Sequence, residues 1–271
     1  MLSWIDGQPA TAVNLHNRGL AYGDGLFETI AVRAGRPALL EHHLARLVLG
    51  CQRLGIEVDA ALIRDEILRY ASQLGDGVAK LIVTRGDSQR GYAPAAAAAP
   101  RRILQGGPPP AYPARHGAHG IRLFACRTRL AEQPLLAGLK HLNRLEQVLA
   151  RAEWHDGDHA EGLMCDTQGR VIEGVYSNLF MVRDGQLLTA DLSRCGVAGV
   201  MRAALIEQAT GAGIAVQVRD LSLADLEQAD EVFVCNSVYG IWPVTGFASL
   251  NWPAGPLTRK LQAVARTLLD A

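Results

Sequence analysis

The chain has 271 residues, of which 49% are hydrophobic and 20% charged. That composition excludes a wholly disordered chain and suits one large domain or two ordinary ones. Lys plus Arg and Asp plus Glu each number 27, so the net charge is zero and the basic excess of a general nucleic-acid binder is missing. The five cysteines, Cys51, Cys126, Cys165, Cys195 and Cys235, are odd in number and contain no CxxC pair. They read as reduced thiols of a cytoplasmic protein. The segment MLSWIDGQPA has no basic region leading into an apolar run, so no signal peptide is expected. The charge-free stretch Val232–Thr258 is broken by Gly and Pro and reads as strands and turns, so no membrane partner is expected.

Leu2–Ile5 reads as a strand ending at an Asp6-Gly7 turn, and Phe27–Val32 as a second strand ending at Gly35-Arg36. Leu44, Leu47, Val48, Cys51 and Leu54 line one face of a helix over about 41–54. A second helix is predicted over 60–73, then a strand over Lys80–Thr84. GYAPAAAAAP at 91–100 reads as a mobile surface loop. GGPPPAYP at 106–113 is the strongest breaker cluster, placing a boundary between domains 1–107 and 114–271. Beyond it the predicted strands are Ile121–Cys126, Gly162–Cys165, Asn178–Val182, Gln186–Thr189, Ile214–Val218 and Glu231–Cys235. Helical faces fall on Leu142, Leu145, Val148, Leu149 and Ala152, on Val200–Thr210 and on Pro256–Leu269. The class is therefore α+β in two domains.

Several motifs fail on inspection. There is no GxGxxG and no GxxxxGK[ST]. HDGDHAE at 155–161 lacks the Gly and Glu a calcium loop needs, so it reads as a solvated turn and no metal is expected. Arg85-Gly86-Asp87 spells an adhesion tripeptide that has no partner in the cytoplasm, and His42-His43 reads as packing.

Lys140 stands apart. It follows Leu135, Leu136, Ala137, Gly138 and Leu139, apolar or small residues that can lower an amine's pKa and leave it nucleophilic toward a carbonyl. Pyridoxal 5'-phosphate is the cofactor such a lysine would carry. It needs a phosphate site, and Gly196 and Gly199 precede a helix whose first N–H groups, at Val200 and Met201, point at an incoming anion. It also needs a carboxylate for its ring nitrogen, and Glu173 leads into a strand nearby in sequence.

Glu173 with Asn178-Leu179-Phe180, then Leu187 and Thr189, then Val197, Gly199, Val200 and Arg202 resembles the signature of the class IV aminotransferases. These are the fold-type IV pyridoxal-phosphate enzymes, with a fold like that of D-amino acid aminotransferase. Val175 departs from the pattern, which usually has a small residue or Ser/Thr there. The resemblance spans nearly the whole chain and takes in Arg18–Thr29, His43-x-x-Arg46-Leu47 and Ala229–Ser237. LAGLKHLNRLEQVLAR around Lys140, and Thr29 after Phe27-Glu28, resemble the aminodeoxychorismate lyases within that family more than its aminotransferases.

The resemblance implies that Lys140 carries the cofactor and moves the proton, that Glu173 pairs with the ring nitrogen, and that Arg46 binds the phosphate with Val200, Met201, Asn236 and Ser237. It implies a catalytic hydroxyl at Thr29, a substrate carboxylate at Arg90 and Tyr92, which reach the neighbouring subunit of a homodimer, and a pocket wall at Phe27. The reaction implied is conversion of 4-amino-4-deoxychorismate to 4-aminobenzoate and pyruvate for folate synthesis. A D-amino acid or branched-chain aminotransferase on the same fold, a non-catalytic carrier of the cofactor and a plain structural module are the other readings.

Overall fold

The first hairpin forms where the Asp6-Gly7 turn predicts it, with Asp6 and Gly7 both at positive φ. It joins β1 (Ser3–Ile5) to β2 (Gln8–Pro9) in a computed structural model that describes residues 2–94 and 99–271. The short helix α1 (Arg18–Tyr22) leads into β3 (Gly25–Arg33) and β4 (Arg36–Pro37). Two helices follow, α2 (Leu40–Leu54) and α3 (Ala60–Leu74), then β5 (Gly77–Thr84) and β6 (Arg101–Gly107). Gly106 and Gly107, read from sequence as breakers, close β6. Of the expected loop 91–100, residues 95–98 lie outside the described residues, and 91–94 and 99–100 are in neither helix nor strand.

The six strands run in the order β2-β1-β6-β5-β3-β4. Alternation along β3 buries Leu26, Ile30 and Val32 in one core with Leu44, Leu47 and Cys51 of α2 and Ile63, Ile67 and Tyr70 of α3. α2 approaches closely at Gly50, where a Cβ would lie 2.8 Å from Leu26. Asp59 caps α3 by accepting the N–H groups of Ala61 and Leu62.

The chain splits into two compact units. The first holds residues 1–110, 139–143 and 270–271, and the second holds 111–138 and 144–269. The five residues 139–143 thus belong with the N-terminal unit although they stand well beyond it in sequence.

The second unit is built from α4 (Arg115–His119), β7 (Ile121–Ala125), α5 (Leu145–Arg151), β8 (His159–Cys165) and β9 (Val171–Gly174). Then come β10 (Asn178–Arg183), β11 (Gln186–Ala190), α6 (Val200–Gly211), β12 (Val216–Arg219) and α7 (Leu223–Glu227). β13 (Glu231–Asn236), β14 (Gly240–Phe247), β15 (Leu250–Asn251) and α8 (Pro256–Asp270) complete it. The sheet order is β12-β11-β10-β13-β14-β7-β8-β9, and an added β9–β10 pairing closes β10, β13, β14, β7, β8 and β9 into a ring. The closing pair is Glu173 opposite Asn178. A separate core fills this unit, with Leu123, Leu163, Met164, Leu179, Met181, Val232, Val234 and Val244 among its buried residues.

Candidate active site

In the first unit, Lys140 is fixed by backbone pairing. The 139–143 segment lies along the start of β3: the Phe27 N–H donates to the Lys140 carbonyl at 2.9 Å, and the Leu142 N–H donates to Gly25 at 3.0 Å. His141 sits opposite Leu26 in an antiparallel bridge. Strand alternation then puts His141 on the Leu26 side and Lys140 on the Phe27 and Thr29 side. The Lys140 Nζ lies 4.5 Å from the centre of the Phe27 ring. Leu139 is buried in the core, so the segment is anchored on both sides of the lysine.

The other side of β3 carries Glu28. It accepts from Arg46 Nε at 2.9 Å and from Arg46 Nη2, and it faces His43 Nδ1 at 2.6 Å. Burial alone would raise the Glu28 carboxyl, but the Arg46 charge and the His43 contact overcome it and hold it at about 2. Burial pushes His43 down. Glu28 therefore grips the Nε and Nη2 edge of Arg46 and sets the orientation of its guanidinium.

Arg18 and Arg85, to which the sequence reading gives no part in the site, organise the predicted carboxylate loop. Arg18 is buried and donates to Asp24, to Ser88 Oγ, and to the carbonyls of Gly91 and Tyr92. Arg85 grips the same Asp24. Arg18 also lies over the Tyr22 ring, which in turn meets the Tyr92 ring at 5.5 Å. Arg90 itself is exposed, and Tyr92 is 86% exposed.

In the second unit, Glu173 is buried and accepts the Val197 N–H at 2.9 Å and Asn178 Nδ2 at 3.3 Å. Asn178 also donates to the Val197 carbonyl at 2.8 Å, tying β9, β10 and the approach to α6 together. Gly196 has φ +82°, and a Cβ there would meet Ile172 at 2.8 Å and Leu192 at 2.9 Å. At Gly199 a Cβ would lie 1.9 Å from Asn178 Oδ1, so any larger residue has to displace that side chain. Gly199 begins α6 without any side-chain cap, which leaves the first-turn N–H groups for an outside acceptor. Arg202 on that turn donates to Thr189 Oγ1 and the Ala190 carbonyl.

Asn236 accepts the N–H groups of Val238 and Tyr239 and donates to the Tyr176 carbonyl. Its carboxamide thus builds the turn that carries Ser237. The sequence reading puts Glu161 at the end of a solvated turn over 155–161, but the structure places it on β8. It is fully buried and takes the N–H groups of Gly162 and Val175 on one oxygen, with the Ser177 hydroxyl and the Tyr176 N–H on the other. It thereby shapes the 174–177 loop between Glu173 and Asn178. Its only sequence signal is a Glu inside the run His159–Cys165, which becomes β8.

Each unit by itself carries groups of the kind a phosphorylated pyridine aldehyde uses: the first has an amine beside β3, and the second has a buried carboxylate and an uncapped helix start at Gly199. Comparison with known proteins agrees. Residues 25–247 match the model of the amino-transferase class IV family. An aminodeoxychorismate lyase of Vibrio harveyi is 38% identical over 97% of this chain and 99% of its own. The crystal structure of 4-amino-4-deoxychorismate lyase from Pseudomonas aeruginosa superposes with a TM-score of 0.98 at 65% identity, covering 100% of both chains. A D-alanine aminotransferase of Bacillus licheniformis is 25% identical over 93% of this chain and 89% of its own. The matches over most of the chain make the family plain: the chain belongs to the amino-transferase class IV family.

Proposed function

We propose that the chain is a pyridoxal-phosphate-dependent lyase that converts 4-amino-4-deoxychorismate to 4-aminobenzoate and pyruvate in the cytoplasm, as a step of folate synthesis. The observation that carries this reading is Lys140 held on the Phe27 and Thr29 side of β3 in a chain 65% identical to a lyase. The family's members are pyridoxal-phosphate enzymes. Lys140 is assigned the covalent attachment, Glu173 the ring nitrogen, and Arg46 the phosphate, with the Val200 and Met201 N–H groups, Asn236 and Ser237 beside it. The bound cofactor supplies a sink for the electrons of a breaking C–H bond.

The chain's own groups do the rest. The Lys140 amine removes the proton from the ring carbon that bears the substrate amine. The Thr29 hydroxyl stands on the same side of β3 to hold that amine in line. The bond from the ring to the enolpyruvyl oxygen breaks with its electron pair going to oxygen, the ring becomes aromatic, and the departing enolate takes up a proton at its methylene carbon to become pyruvate. Arg90 and Tyr92 hold a substrate carboxylate, and Phe27 walls the pocket. A homodimer is supported by the apolar outer side of α5, where Leu145, Val148 and Leu149 are exposed. Burial of all five cysteines as free thiols and the lack of any membrane-length apolar helix among the described residues suit a cytoplasmic enzyme.

The test is pyruvate release from 4-amino-4-deoxychorismate by the purified holoenzyme with no keto acid present. Stoichiometric pyruvate and 4-aminobenzoate are expected. If turnover appears only when a keto-acid acceptor is added, the chain is an aminotransferase.

A further inference from the structure

Arg202 is a cation in a place that disfavours one. It stands in the first turn of α6, at the positive end of the helix dipole. Its side chain is half-buried, and burial pushes its pKa down. Nε donates to Thr189 Oγ1 at 3.2 Å and Nη2 to the Ala190 carbonyl at 2.9 Å, and both acceptors are neutral. Glu173 and Asp191 act on the charge only from a distance, and no Asp or Glu pairs with it among the described residues. A desolvated cation without a counter-ion is costly, and more so beside uncapped helix N–H groups, so the arrangement suits an anion seated at that end. The two hydrogen bonds also reach further. The buried Thr189 hydroxyl donates to the Leu179 carbonyl on β10 at 2.8 Å. Leu179 follows Asn178, whose side chain donates to Glu173 and to the Val197 carbonyl. One chain of contacts thus runs from the first turn of α6, through β11 and β10, to the brace of Glu173.

We infer that Arg202 serves the phosphate of the cofactor, clamping the first turn of α6 to β11 and supplying positive charge that the phosphate neutralises. The inference rests on the cofactor reading above and deepens it. A phosphate monoester carries about −1.5 to −2 charge at pH 7. The Val200 and Met201 N–H groups offer it hydrogen bonds but only partial charge. Arg46, also assigned to the phosphate, is ion-paired with Glu28, so its charge is already offset within its own unit. Arg202 has no such partner. It is a positioning residue: its fork holds the helix turn against Thr189 and Ala190, and its charge acts through a desolvated interior that screens it weakly.

The test measures binding of pyridoxamine 5'-phosphate and of pyridoxamine to the full-length chain freed of cofactor, by calorimetry, with the weaker ligand read by displacement. The two share a ring and differ by the phosphate, and neither bonds covalently to Lys140. The wild type is compared with Arg202→Met, which keeps the apolar stem, Arg202→Gln, which keeps a neutral donor, and Arg202→Lys, which keeps the charge. Both neutral variants are expected to lose about 10-fold or more of the preference for the phosphorylated ligand, with pyridoxamine bound within about 3-fold of the wild type. Arg202→Lys is expected to keep most of that preference. Should Arg202→Met fail to fold, Arg202→Gln decides. A neutral variant with the wild-type preference overturns the inference. So does one that loses both ligands equally, since Arg202 then only supports the fold, and so does an Arg202→Lys preference as low as that of Arg202→Gln. A wild type that binds both ligands equally overturns the phosphate site along with the inference, and one that binds neither overturns the cofactor reading itself.

Discussion

Glu161 is a buried carboxylate surrounded by donors and, among the described residues, paired with no cation. Burial pushes its pKa up to about 7 against those hydrogen bonds. The protonated form is favoured in the folded chain, so the stability this group gives is full below about pH 4.5 and fades as pH rises through 7. The loss is on the order of 3 kcal/mol at most. In Glu161→Gln the oxygen still accepts from Gly162 and Val175 and the NH2 donates to Ser177 Oγ, while the long contact from the Tyr176 N–H is given up. The variant is expected to show a flatter Tm between pH 5 and 8 than the wild type, and parallel melting curves would sink the idea. Gly199→Ala forces a Cβ into Asn178 and displaces the side chain that braces Glu173. A loss of about 1–3 kcal/mol is expected, with weaker cofactor retention in dialysis. Thr29→Val should lower kcat about 10-fold or more while the cofactor absorbance band stays. At this scale Lys140, Glu173 and Gly199 stand out in the sequence because each has a distinctive neighbourhood there. Glu161 and Arg18 do not, since their partners lie on other elements.

The elements themselves divide in the same way. α2 and α3 were readable because their apolar positions repeat at helical spacing and Asp59 caps the second. β6 and β14 were obscured by glycines and by Pro243, which sits inside β14 opposite Phe233. No local periodicity could reveal that 139–143 would pair with β3, because that contact joins residues over a hundred positions apart. The 88–92 segment depends likewise on Arg18, which reaches it from α1 through three hydrogen bonds. Arg18→Met leaves Asp24 to Arg85 and releases that backbone. The expected result is faster proteolytic cleavage within 88–92 and a KM raised about 10-fold, with the cofactor band unchanged. Unchanged protection and KM would mean that the segment is held by its own turns.

At the scale of the whole molecule, the sequence reading expects Arg90 and Tyr92 to serve the partner's site, and the two residues are exposed on this chain. A subunit-mixing experiment separates service across the dimer from service within one chain. Lys140→Ala removes the amine, and Arg90→Ala removes the guanidinium, so each homodimer alone is expected to be inactive or severely impaired. Mixed dimers contain one chain of each kind. If Arg90 acts across the interface, the site built on the intact Lys140 receives its arginine from the other chain and is fully competent. Random exchange makes half the dimers mixed, each with one competent site in two, so about a quarter of wild-type activity should return. If Arg90 acts within its own chain, every site in the mixed dimer lacks one group and nothing returns. Replacing Val148 and Leu149 with Asp on the exposed side of α5 provides the control. Such chains are expected to run as monomers of 29.1 kDa in sedimentation and to show no recovery on mixing.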